Sequence, residues 1–153
     1  MIGVKMHTRL DKSDLPDWIE EVGRGVLGAA IEVHRELGPG LLESVYEHAL
    51  LHEFGLRGIR AVQQAAIEVK YKGISIQGQR IDLLVEGLVV VELKSITQIQ
   101  DVHKAQLLSY LRAGGFPLGF LINFNMKLAK DGIHRVYNER YSEAPSRPSR
   151  SSR

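Results

Sequence analysis

Asp82, Glu92 and Lys94 are the residues whose types and spacing suit chemistry on a hard cation or a phosphate. They lie in residues 80–94, a run of β-branched and apolar side chains broken at Glu86-Gly87. Two ionised carboxylates about 5 Å apart repel by about 3 kcal/mol at an effective dielectric near 20. A close pair therefore needs a cation, a shared proton or solvent. Oxygen-rich clusters suit Mg²⁺, and a lysine two positions past Glu92 can hold a water or a phosphate oxygen. The plainer alternative makes Asp82 a strand-edge residue, with Glu92 and Lys94 a solvated ion pair. Spacing alone leaves both readings open.

Whether the carboxylates meet depends on register. The run reads as two strands around a tight turn at Glu86-Gly87. Side chains alternate along a strand, which groups Ile81, Leu83 and Val85 on one face and Arg80, Asp82 and Leu84 on the other. A two-residue loop pairs Asp82 with Val91 and sends Glu92 to the opposite side. A three-residue turn, or a left-handed bulge at Gly87, unites Asp82 with Glu92 and also joins Ile81, Leu83 and Val85 to Val89, Val91 and Leu93. The odd loop is the expectation, since it alone unites the apolar set. Lys94 then shares the carboxylates' face.

The elements around this hairpin belong to an ordinary globular chain. Its 153 residues form one domain with room for a core, and 44% hydrophobic with 25% charged residues fits a soluble protein. Cysteine is absent, which removes disulfides and thiolate metal sites and fits a cytoplasmic location. Residues 1–17 are polar, so no signal peptide is expected, and no run approaches the roughly 20 apolar residues of a membrane span. Arg147, Arg150 and Arg153 against Glu143 account for the whole net charge of +2. Residues 1–141 are then neutral, and any nucleic-acid contact must come from a local patch or from the tail.

In chain order, residues 1–14 are expected to be a loose arm, 15–141 the folded domain and 142–153 a disordered Ser/Arg/Pro tail. A helix follows Pro16, with Trp18, Val22, Val26, Ala29, Ala30, Val33 and Leu37 at helical spacing, and Gly38-Pro39-Gly40 stops it. His34 reads as a surface or helix-terminal residue rather than a ligand. A second helix spans 41–54, ending at Gly55, with Leu42, Val45, Ala49 and Leu50 as its apolar stripe. Glu43, Tyr46, Glu47 and Leu50 form another line on it, and Glu43 suits the first turn in any case. Strands are expected at 66–71 and 74–76 around Lys72-Gly73, then the two arms of the hairpin, making a meander of about four strands. A helix over 99–112 should face the sheet with Ala105, Leu108 and Leu111 and carry His103, Gln106 and Tyr110 on one line. A buried strand follows at 117–124 and an edge strand at 133–137.

Several of these residues fall into one order. Gly40-Leu41-Leu42-Glu43-Ser44-Val45-Tyr46 fits G-x-x-E-x-x-Y, followed by Asp82, Glu92-Leu93-Lys94 and Gln106-Leu107-Leu108-Ser109-Tyr110, a Q-x-x-x-Y element. From about residue 26 to 137 the chain resembles the GxxExxY family, itself similar to the PD-(D/E)XK nuclease superfamily. The resemblance implies an α/β/α sandwich of the restriction-endonuclease type. Its central mixed sheet would be an antiparallel meander plus a right-handed crossover helix, which makes the strands around Glu92 and Phe120 parallel neighbours.

The implied activity is that of an Mg²⁺- or Mn²⁺-dependent nuclease acting on nucleic acid, DNA in the first instance. Asp82 and Glu92 would ligate the metal, with the Leu93 carbonyl as a further ligand, and Glu43 would join directly or through a water. Lys94 would position or deprotonate the attacking water. Gln106 and Tyr110 would orient Lys94 or the substrate backbone. The proline that opens the superfamily pattern is missing, since Arg80-Ile81 precede Asp82. The competing function is a non-cleaving nucleic-acid- or protein-binding module on the same fold. Expected partners are nucleic acid and no membrane, and a homodimer is admitted.

Overall fold

The structure is a computed structural model that describes residues 15–142. The arm expected over 1–14 and all but Ser142 of the tail expected over 142–153 lie outside the described residues. Helix α1 spans Asp17–Leu37 and starts at Pro16, whose fixed φ of −55° suits a helix entry. Ile19, Val22, Val26, Ala29, Ala30 and Val33 form its buried stripe, and Gly38 ends it with a left-handed φ of 67°. Helix α2 spans Glu43–Leu56. Strands β1 (Ala61–Tyr71), β2 (Ile74–Val85) and β3 (Val89–Lys94) form the meander. Helix α3 (Asp101–Gly114) crosses over to β4 (Leu118–Asn123), and a single turn, α4 (Ala129–Gly132), leads to β5 (Ile133–Tyr137).

The sheet order is β1-β2-β3-β4-β5, antiparallel except for β3 with β4. Val91 pairs with Phe120 in that parallel ladder, as the crossover predicts. Helices α1 and α2 cover one face, over Leu83, Val85, Val91, Leu93 and Phe120. Helix α3 covers the other through Leu107, Leu108 and Leu111, against Val90, Leu121 and Val136. Gly119 permits that approach, because a Cβ there would sit 2.9 Å from a Leu107 methyl. A buried ion pair between Arg135 and Glu20 fastens β5 to α1. Among the described residues no helix is long and apolar enough to cross a membrane.

Several expectations change. In α2 the buried stripe is Tyr46, Leu50 and Phe54, while Leu42 and Val45 face solvent. Both lines have helical spacing, and the sheet selects the one that fills its hollow with aromatic rings. Gly55 lies inside that helix, which ends one residue later at Leu56. The segments 74–76 and 80–85 are one strand, so the meander has three strands. Gly78, at φ 112°, absorbs a bulge that shifts the register between Ile67 and Val69 rather than breaking the chain. In α3 Leu108 and Leu111 face the sheet as expected, but Leu107 joins them in place of Ala105, which is exposed. His34 is buried, its Nε2 2.7 Å from the Met126 carbonyl oxygen.

Candidate active site

The loop between β2 and β3 has three residues, since Val85 pairs with Val89 across Glu86, Gly87 and Leu88. Glu86 and Gly87 both take left-handed φ values, 53° and 67°, and the Leu88 N–H closes the turn on the Val85 carbonyl at 3.0 Å. The odd loop is thus the observed one. It brings Asp82 and Glu92 together.

Pairing of β2 with β3 ends at Leu83 and Val91, whereas β3 stays paired with β4 as far as Lys94 and Asn123. The strands part at the next position, and the two carboxylates fill the gap. Asp82 N–H donates to Glu92 Oε1 at 3.0 Å, and Leu93 N–H donates to Asp82 Oδ2 at 2.8 Å. Each acid is pinned by the backbone of the other strand, which satisfies amides that lack a ladder partner. Parting of the strands also separates Ile81 from its expected companions. Ile81 packs in the cluster under α3, while Leu83 and Val85 pack under α1 and α2.

Burial, then the charge of Asp82, pushes the Glu92 carboxyl up to about 8. Asp82 is raised chiefly by burial, against the opposing Leu93 N–H, and Glu47 raises it further. Lys94 lowers both carboxyls and is half-buried, yet it makes no salt bridge with either among the described residues. The solvated Glu92–Lys94 pair of the plainer reading is therefore not formed. With both acids ionised, Asp82 and Glu92 would carry more negative charge than Lys94 alone offsets. The notch's hard oxygen donors in a partly dry setting fit a divalent cation.

Glu43 is exposed at the first turn of α2, close enough to raise Glu92 weakly. Tyr46 sets that turn. Its ring is fully buried and stacked on Phe124 with centroids 4.4 Å apart. Its hydroxyl donates to the Gly38 carbonyl at 2.6 Å and accepts the Leu41 N–H at 3.1 Å. Ser95, just past β3, donates its hydroxyl to the Leu41 carbonyl at 2.6 Å. The residues of G-x-x-E-x-x-Y thus build one corner: the tyrosine holds the turn that delivers the glutamate. Among the described residues no group of three or more Asp, Glu or His is gathered at metal-holding distances. Asp82 and Glu92 are together, and Glu43 stands off.

On α3, the Tyr110 hydroxyl accepts a 3.0 Å hydrogen bond from Gln79, and its ionisation is raised by burial and by Glu92 and Asp82. Tyr110 therefore borders the notch. Gln106 is exposed and makes no hydrogen bond to Lys94 among the described residues. Its orienting role finds no contact here.

Three polar residues at the notch were not singled out in the sequence as site residues. Gln63 and Gln64 both donate to Glu47, at 2.6 and 2.9 Å, and Gln64 also reaches Asp82 Oδ1 at 3.5 Å. Glu47 stands four residues from Glu43, which is the one signal the sequence offered for it.

Comparisons with known proteins agree with this fold. A family model described as the PD-(D/E)XK nuclease superfamily matches residues 20–136. No curated protein and no solved structure matches the chain. Members of the superfamily generally use divalent metals and act on nucleic acid. The match spans all five strands and both helical layers. The chain belongs to the PD-(D/E)XK nuclease superfamily.

Proposed function

We propose that the chain is a divalent-metal-dependent phosphodiesterase that hydrolyses nucleic acid, with DNA as the first substrate to test and Mg²⁺ or Mn²⁺ as the metal. The observation that carries this reading is the pair Asp82 and Glu92, held in the gap between parting strands with Lys94 two residues on. Asp82 and Glu92 would hold the cation, with Glu43 completing its surroundings. When bound, the cation supplies charge neutralisation at the scissile phosphate and a more acidic water.

The chain's own residues do the rest. Lys94, half-buried and on the same strand as Glu92, presents an ammonium group that can hold a water or a phosphate oxygen in line. Tyr110, tied by Gln79, borders the notch from α3 and fits a contact to the substrate backbone. Gln106 faces solvent, where it suits contact with a bound strand rather than orientation of Lys94. The turn at residues 38–41 supports membership of the GxxExxY group within the superfamily. The lack of cysteine supports a cytoplasmic setting.

The second reading, a non-cleaving module on the same fold, is favoured by Glu43 standing off from the paired acids among the described residues. Incubation of the full chain with labelled single- and double-stranded DNA and RNA, in Mg²⁺, Mn²⁺ or EDTA, separates the two. Metal-dependent cleavage that EDTA abolishes is the expected outcome. Binding without cleavage of all four substrates in either metal would establish the non-cleaving module instead.

A further inference from the structure

Three non-glycine residues take a left-handed φ among the described residues: Gln64 (52°), Lys72 (45°) and Glu86 (53°). Lys72 and Glu86 sit in hairpin turns, which demand that conformation. Gln64 sits inside strand β1, where a side chain in that region is disfavoured and glycine is not. The β1–β2 ladder runs through Gln63–Leu83 and Ala65–Ile81 and omits Gln64–Asp82. The strained residue therefore stands opposite the acid at the heart of the notch.

Its amide nitrogen lies 2.9 Å from Glu47 Oε1 and 3.5 Å from Asp82 Oδ1. Gln63 holds the other Glu47 oxygen at 2.6 Å, and Arg80 donates to the Gln64 carbonyl at 3.1 Å. Both the peptide and the side chain of Gln64 are thus fixed from neighbouring elements. Strain of this kind persists where the surroundings over-determine it and clusters at functional sites.

We propose that Gln64 is a positioning residue for Asp82, and that Glu47 on α2 holds it in place. The amide directs Asp82 Oδ1 while Oδ2 takes the Leu93 N–H, so the carboxylate has one orientation before any cation arrives. Donors of this sort orient metal-ligating carboxylates, and their loss typically weakens metal binding about 10–100-fold. That consequence rests on the reading of Asp82 as a ligand; the orientation of Asp82 does not.

Gln64→Gly in the full chain tests it, since glycine accepts the backbone and keeps the peptide for Arg80 while deleting the amide reach. Amide hydrogen exchange is read by NMR in EDTA, followed by a calorimetric Mg²⁺ titration. Faster exchange at Leu93, about 10-fold, is expected with Val91 unchanged, together with Mg²⁺ binding at least about 10-fold weaker. Glu47→Ala should reproduce the Leu93 effect, because Gln64 then loses its holder. Leu93 protection unchanged in Gln64→Gly overturns the proposal, whatever the metal titration gives. Faster Leu93 exchange in a chain whose wild type binds no Mg²⁺ upholds the positioning and rejects the metal reading instead.

Discussion

Replacing Glu92 by Gln removes one charge from the notch and keeps an oxygen for the Asp82 N–H. The folded chain holds the Glu92 carboxyl at about 8, against an ordinary 4.5. Between those values the folded state keeps a proton that the unfolded chain has lost, so stability falls as pH rises through that window. The full loss, reached above pH 8, is about 5 kcal/mol; it is about 3 kcal/mol at pH 7 and about 1 kcal/mol at pH 5. Against a typical total of about 5–15 kcal/mol this is a large fraction. Urea denaturation of wild type and Glu92→Gln in EDTA at pH 5, 7 and 9 measures it. The variant should be close to wild type at pH 5 and more stable by about 4–5 kcal/mol at pH 9. Groups that do not sense Glu92 are common to both proteins and drop out of the difference, whereas Asp82 and Tyr110 titrate against it and contribute to the gap. Added Mg²⁺ should shrink the gap, because the cation favours the ionised pair. Parallel stability curves from pH 5 to 9 would show that Glu92 ionises as an ordinary carboxylate, removing the electrostatic argument for a cation.

Asp82→Asn should abolish Mg²⁺ binding in calorimetry with little loss of metal-free stability, since an acceptor for the Leu93 N–H remains. Asp82→Ala should additionally cost about 1–3 kcal/mol in the same denaturation assay, by leaving that amide without a partner. Lys94→Ala should lower the single-turnover cleavage rate sharply while leaving low-salt binding nearly unchanged. Deletion of residues 142–153, which carry the whole net charge, should weaken nucleic-acid binding at low salt and spare the maximal cleavage rate. Tyr46→Phe should cost about 1–3 kcal/mol in urea denaturation, because its hydroxyl serves both the Gly38 carbonyl and the Leu41 N–H.

The meeting of Asp82 with Glu92 was legible in the sequence because alternation is a local property. Only one loop parity joins Val89, Val91 and Leu93 to Leu83 and Val85. The parallel β3–β4 pairing was legible for a similar reason, given a helix between two apolar strands. Where two local patterns competed, tertiary packing decided. Helix α2 offers Leu42 and Val45 or Tyr46 and Phe54, and only the hollow beside Phe124 distinguishes them. Gly78 resembles a strand breaker in sequence, yet its freedom at positive φ lets one strand continue through a bulge. Glu47, Gln63 and Gln64 stayed hidden because their bonds join residues 16 and 17 positions apart across a local irregularity. No periodicity encodes that.

The parting of β2 from β3 has a further consequence for motion. Beyond Leu83 the β1–β2 ribbon has no hydrogen-bonded ladder to the central sheet; Ile67 and Ile81 keep it packed under α3. Ribbon and sheet can therefore open as separate cooperative units, with different free energies of opening. Asp82 rides on one unit and Glu92 on the other, so the notch is a seam. Whatever bridges the two acids also staples the seam, and every opening of the ribbon dismantles the site without unfolding the core.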